Sequence, residues 1–75
     1  MEELLTILRS VNSDIDYVNE QTLIDDGLLD SLDVVALVSE LNEHYNIEIG
    51  LDDLVPENFN SVSAMQELIN RLQGQ

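Results

Sequence analysis

Asp30, Ser31 and Asp33 stand together at the head of an apolar stretch, "DDGLLDSLDVVALVSEL", residues 25 to 41. A hydroxyl between two carboxylates raises two chemical uses at once: a nucleophile or a cation ligand. Nucleophilic use needs a base within hydrogen-bond reach. The one histidine, His44, lies thirteen residues further along the same predicted helix, about 20 Å away at 1.5 Å per residue, so no catalytic pair is predicted within one chain. Cation use needs ligands at alternate loop positions. Setting Gly27 at the sixth position of a calcium loop puts Thr22 and Ile24 where oxygen ligands are required, and "DID" at 14 to 16 is followed by Tyr17 and Val18. No catalytic residue and no metal site is therefore predicted.

The element carrying Ser31 is predicted to run from Ser31 to Tyr45. Asp30 is a favourable N-cap, and Asp33 three residues on gives a relative of the capping box, with both carboxylates favoured by the positive helix end. With Ser31 at zero and about 100° per residue, Val34, Leu37, Val38, Leu41 and Tyr45 form one stripe at roughly 240° to 340°. That stripe is the predicted core face. Leu32, Val35, Ala36 and Ser39 fall at roughly 40° to 140°, a second, largely apolar patch beside the serine. Such a patch on a small domain marks a contact site. His44 borders the core stripe and reads as an ordinary helix-surface residue.

The remaining elements are shorter. Leu4, Leu5, Ile7, Leu8 and Val11 give a first helix from Glu2 to about Val11. Ser61 caps a last helix with the stripe Val62, Met65, Leu68, Ile69, Leu72, and Arg71 sits in its final turn. Between them, "IEIGLDDLVPENF" reads as an extended connection and one helical turn, with Pro56 at its first position. In the long segment from Asn12 to Asp30, the apolar residues Ile15, Tyr17, Val18, Leu23, Ile24, Leu28 and Leu29 need cover, and Leu28 and Leu29 are expected to pack inward.

Composition bounds the function. The chain has 75 residues, 44% of them hydrophobic, and 16 Asp and Glu against two Arg and Lys, for a formal charge of −14. One small domain over 1-75 is expected, too short to wrap a deep pocket around several catalytic groups. The charge repels nucleic acid and anionic membranes and favours basic protein surfaces. It also favours a monomer. Cysteine is absent, which excludes a disulfide framework and a thiolate metal site. "MEELLTILRS" lacks the basic and apolar regions of a signal peptide, and no apolar run approaches the ~18 residues of a membrane span, so a cytoplasmic protein without membrane insertion is expected.

"GLLDSLDVVALVSELNEHYNIEI" resembles the serine-bearing second helix of the acyl carrier protein family, and the likeness extends over the helix, long loop, "DSL" helix, short third helix and last helix. The resemblance implies an all-α fold, a small four-helix carrier-protein bundle with three main helices, a short third one and a long first loop. It makes Ser31 the attachment point of 4'-phosphopantetheine from coenzyme A, whose thiol holds cargo as a thioester. It gives Asp30 a part in recognition by the phosphopantetheinyl transferase. It makes Leu32, Asp33, Val35, Ala36, Ser39, Glu40 and Glu43 the partner-binding face, and it implies a loading ligase or synthetase and a downstream acyltransferase or synthase as partners. Fatty-acid carriers usually have glycine three residues before the serine, where Leu28 stands here. The spelling "GLLDS" is similar to D-alanyl carrier proteins, and Ala36 replaces an acidic residue common in fatty-acid carriers. The competing reading is a non-catalytic acidic interaction module, in which Ser31 is an unmodified helix-start residue.

Overall fold

The computed structural model describes residues 2–74, and the expected 1-75 domain includes two terminal positions that lie outside the described residues. Helix α1 spans Glu2–Val11, α2 Ser31–Tyr45, α3 Pro56–Phe59 and α4 Val62–Leu72. No strand occurs among the described residues. All four helices fall where the apolar spacing, caps and proline place them, and the architecture is the expected small all-α bundle.

One interior is shared by all the elements. Leu4 and Leu8 of α1, Leu37 and Leu41 of α2, Phe59 of α3 and Met65, Leu68 and Ile69 of α4 are almost wholly removed from water. The long loop contributes Tyr17, Leu23 and Leu29 to the same interior. Burying one such side chain stabilises the fold by about 1.5–3 kcal/mol relative to leaving it in water, so the loop is a structural member of the bundle. Tyr17 shows how: its hydroxyl donates to the carbonyls of Leu8 (2.9 Å) and Asn12 (2.6 Å), taking up acceptors at the end of α1. Burial, and secondarily the charge of Asp33, raises the Tyr17 pKa above its usual value.

Two expectations require correction. Leu28 does not pack inward: it is 37% exposed while its neighbour Leu29 is 3% exposed. The two lie in a turn whose amides both bond the Leu23 carbonyl, and only Leu29 of the pair enters the interior. Val18 is likewise exposed, at 65%. The connection before α3 is not wholly extended: Leu51–Asp53 form a 3₁₀ turn. There the amide of Asp53 donates to the Gly50 carbonyl at 3.0 Å, and the Asp53 carboxylate accepts from the Gly50 amide at 3.2 Å.

Candidate functional site

The start of α2 is fixed by a reciprocal pair. Asp30 adopts extended backbone angles (φ −88°, ψ −179°), its carboxylate accepts from the Asp33 amide at 2.8 Å, and the Asp33 carboxylate accepts in return from the Asp30 amide at 3.4 Å. The Val34 amide makes the first helical bond, to the Asp30 carbonyl at 3.0 Å. By helical geometry the amides of Ser31 and Leu32 are the ones left without an intrahelical acceptor. Ser31 itself is exposed, at the first helical position, directly behind the cap.

The turn leading to this point is equally specified. The Asp26 amide donates to the Thr22 carbonyl at 2.8 Å and the Gly27 amide to the Ile24 carbonyl at 3.0 Å. Thr22 also donates its hydroxyl to the Asp26 carboxylate. Gly27 has φ of +72°, a left-handed conformation that strains any residue with a Cβ, and it allows the chain to reverse just before Leu28.

Ser31 borders an uncharged surface. Leu32 is 78% and Val35 67% exposed, and Ala36 and Ser39 are exposed on the same side. Glu40 and Glu43 are exposed further along the helix, whereas Asp33 is half-buried and its carboxylate is engaged with the cap. The structure thus brings together the serine and an apolar patch, with two free carboxylates one to two turns beyond the patch's centre. It withdraws Asp33 from the most exposed part of the face. Among the described residues no group of His, Asp and Glu is arranged to hold a metal ion.

A shallow apolar groove of about 130 Å³ lies on the neighbouring side, between the loop, α2 and α3, lined by Ile24, Val34, Leu54, Val55, Pro56 and Phe59. Val34 is the α2 residue in it, one turn from Ser31. Sequence patterning marks Val34 as core but gives no sign of the groove, because Ile24 and Phe59 meet there only through tertiary folding. His44 is exposed, as a helix-surface residue should be, with its Nε2 2.7 Å from the Glu3 carboxylate and its ring edge-on to that of Tyr45.

Such a geometry suits a hydroxyl that is modified by another protein, with a phosphodiester next to the two unfilled amides at the positive end of a helix. Comparison with known proteins identifies the family. The family profile described as "Phosphopantetheine attachment site" matches residues 2–69. The chain belongs to the phosphopantetheine-attachment family. Similar proteins include the D-alanyl carrier protein of Streptococcus uberis (strain ATCC BAA-854 / 0140J), 32% identical over 60 residues, covering 80% of this chain and 76% of the relative. The D-alanyl carrier protein of Streptococcus pyogenes serotype M5 (strain Manfredo) is 30% identical over the same shares. Among solved structures none gives a significant match.

This phosphopantetheine-attachment protein is therefore a carrier of acyl or aminoacyl groups, and its prosthetic group is covalent 4'-phosphopantetheine. Family membership also implies synthetases and transferases as partners. The interaction-module reading gives way to the carrier reading. Among the described residues, no helix is long and apolar enough to cross a membrane.

Proposed function

We propose that Ser31 carries the 4'-phosphopantetheine arm and that the chain acts, without catalysis of its own, as one carrier domain over 1-75 that takes an aminoacyl cargo between partner enzymes. The observation that carries the reading is Ser31 itself: an exposed hydroxyl at the first position of a capped helix, within the stretch 2–69 that matches the family. Bound there, the arm supplies a terminal thiol on which a carboxylic acid is held as a thioester.

The chain's own residues present and protect the attachment point. Asp30 holds the first turn in place with one carboxylate oxygen, leaving the other to meet the transferase. The amides of Ser31 and Leu32 favour the phosphodiester through the partial positive charge of the helix end. Leu32, Val35, Ala36 and Ser39 supply an apolar contact, and Glu40 and Glu43, with Asp33 in a lesser part, steer basic partner surfaces. Phosphopantetheinyl transferase, a loading ligase or synthetase, and a downstream acyltransferase or synthase use this face in turn. Charge repulsion at −14 keeps the carrier monomeric, and its place is the cytoplasm.

For the cargo, the similarity to proteins named D-alanyl carrier protein and the "GLLDS" spelling support D-alanine or another amino acid. The groove beside Val34 is lined by apolar side chains and a proline, so an aminoacyl ammonium has no partner in it and stays in water.

The test is intact-protein mass after incubation with coenzyme A, magnesium and a broad-specificity phosphopantetheinyl transferase, with Ser31→Ala in parallel. One added phosphopantetheine in the parent and none in the variant is expected. Addition to Ser31→Ala, or none to the folded parent, would refute the assignment. Offering the loaded thiol to D-alanine and to fatty-acid ligases then separates the cargo classes.

A further inference from the structure

We infer that Asn60 is a positioning residue for the modification of Ser31, acting through its hydrogen bonds to Leu23, Ile24 and Asp25, which hold the turn that leads to the serine. The inference rests on the reading that Ser31 carries the arm.

Asn60 occupies the two-residue junction between α3 and α4, with Ser61 behind it capping α4 through the Ala64 amide at 3.1 Å. Its side-chain oxygen accepts from the amides of Ile24 (2.9 Å) and Asp25 (3.1 Å), residues 36 and 35 positions earlier. Its Nδ2 donates to the Asp25 carboxylate at 3.1 Å, and its carbonyl accepts from the Leu23 amide at 2.9 Å. Four bonds thus tie three successive loop residues to one asparagine. The run continues toward the serine: the Leu23 carbonyl accepts from the amides of Leu28 (2.9 Å) and Leu29 (3.1 Å). Asp30 and Ser31 follow immediately.

Leu23 and Leu29 are both buried, so the two ends of the turn are packed into the interior while its middle, Asp25 to Leu28, is exposed. An exposed turn of five or more residues keeps its shape only where its backbone groups have partners. Here the partners of the first half belong to Asn60. Without its side chain, Ile24 and Asp25 lose their acceptors while the Leu23 amide keeps the Asn60 carbonyl, so the turn between Leu23 and Leu28 loosens and the approach to Asp30 and Ser31 is less well ordered. A partner enzyme that must bind the segment around Ser31 then has to order it, and weaker binding follows. The hydroxyl itself is unchanged, so the chemical step is unaffected.

An amide side chain is specifically suited to this place. Aspartate supplies the oxygen for Ile24 and Asp25 but sets a second carboxylate against that of Asp25. The repulsion can be reversed from the other side: Asn60→Asp combined with Asp25→Asn exchanges donor and acceptor and restores every bond.

The experiment is steady-state phosphopantetheinyl transfer, read by intact mass, on the parent, Asn60→Ala, Asn60→Asp, Asp25→Ala and the double variant Asn60→Asp/Asp25→Asn. For Asn60→Ala, kcat/KM should fall about tenfold, carried by KM with kcat nearly unchanged, consistent with the loss of two or three hydrogen bonds of net worth ~0.5–1.5 kcal/mol each. Asp25→Ala, which removes a single exposed bond, should lose about two- to threefold. Asn60→Asp, which keeps the two amide bonds and sets one exposed carboxylate against another, should lose about two- to threefold, and the double variant should recover most of that loss. Amide exchange provides a readout independent of the transferase: the Leu28 and Leu29 amides should exchange faster in Asn60→Ala, with α2 and α4 protected as in the parent. Unchanged kcat/KM in Asn60→Ala, or no recovery in the double variant, overturns the role of Asn60 while leaving Ser31 as the attachment site. Failure of the parent to accept the arm overturns both. Should Asn60→Ala fail to fold, Asp25→Ala and the exchanged pair, each conservative at the surface, decide the question.

Discussion

Glu3 and His44 meet at 2.7 Å, joining the first turn of α1 to the last turn of α2. Both are well exposed, at 72% and 44% for the side chains, so solvent screens the pair. His44→Ala should lower unfolding free energy by no more than about 1 kcal/mol. Denaturant titrations at low and high salt check this: the difference between parent and variant should shrink as salt rises. A loss of several kcal/mol would mean that the contact is a buried support.

The capping pair at Asp30 and Asp33 has a larger expected effect than the serine between them. Asp30→Ala should cost about 1 kcal/mol of stability through loss of the helix cap. Ser31→Ala, at an exposed first helical position, should stay within about 0.5 kcal/mol of the parent. Urea unfolding of both variants tests the ordering, and equal losses would contradict it.

Tyr17 makes the fold sensitive to alkali. Burial first, and the Asp33 charge second, raise its pKa above 10.0 in the folded chain. The neutral form is therefore the one favoured by folding, and the stability it contributes is complete below pH 10 and lost as pH rises through the higher folded value. The melting temperature should fall above pH 10, together with the hydrogen bonds to Leu8 and Asn12 that need the phenolic proton. Tyr17→Phe should be less stable by about 1–2 kcal/mol near neutrality and should lose part of this alkaline dependence. An identical alkaline profile in both proteins would assign the effect to other groups.

Exposure of Leu32 and Val35 separates binding from stability. Leu32→Ser and Val35→Ser should leave the melting temperature close to that of the parent, because little apolar area is buried in the free protein at either site. They should weaken association with the transferase and loading enzyme. Surface plasmon resonance with calorimetry on the same samples distinguishes the two, and a large stability loss would show that the patch packs internally.

With 16 acidic residues against two basic ones, repulsion opposes the folded state. Raising salt from about 10 to 200 mM shortens the screening length from about 30 to below 10 Å, and the melting temperature should rise accordingly. Partner on-rates should fall over the same range. A melting temperature insensitive to salt would mean that the carboxylates are dispersed beyond mutual influence.

What the sequence made legible, and what it did not, divides by the range of the contacts involved. The ends of α2 and α4 follow from Asp30 and Ser61, which cap through neighbours three residues on, and α3 begins at Pro56 for a reason contained in that residue. Those are local causes. Leu28 faces outward against expectation because the choice between Leu28 and Leu29 depends on how the turn sits against the rest of the bundle. The 3₁₀ turn at Leu51–Asp53 needs the Gly50–Asp53 pairing, for which alternating Ile47, Ile49 and Leu51 give no sign. The exposed patch of Leu32 and Val35 follows from helical spacing, and Ser31 as a helix-start residue from the cap at Asp30. The bonds of Asn60 to Ile24 and Asp25, and the groove between Val34 and Phe59, do not, since no periodicity connects residues so far apart.

The buried side chains of α2, Leu37 and Leu41, sit in its middle and later turns. Residues 31 to 36 therefore form a segment whose outward positions can be exchanged with little penalty to the packed interior. On the proposed partner face, grafting the outward residues of another carrier at positions 32, 35 and 36 should transfer recognition to that carrier's enzymes while the recipient bundle stays intact. Under that proposal the bundle is a fixed chassis and its exposed first turns an interchangeable address.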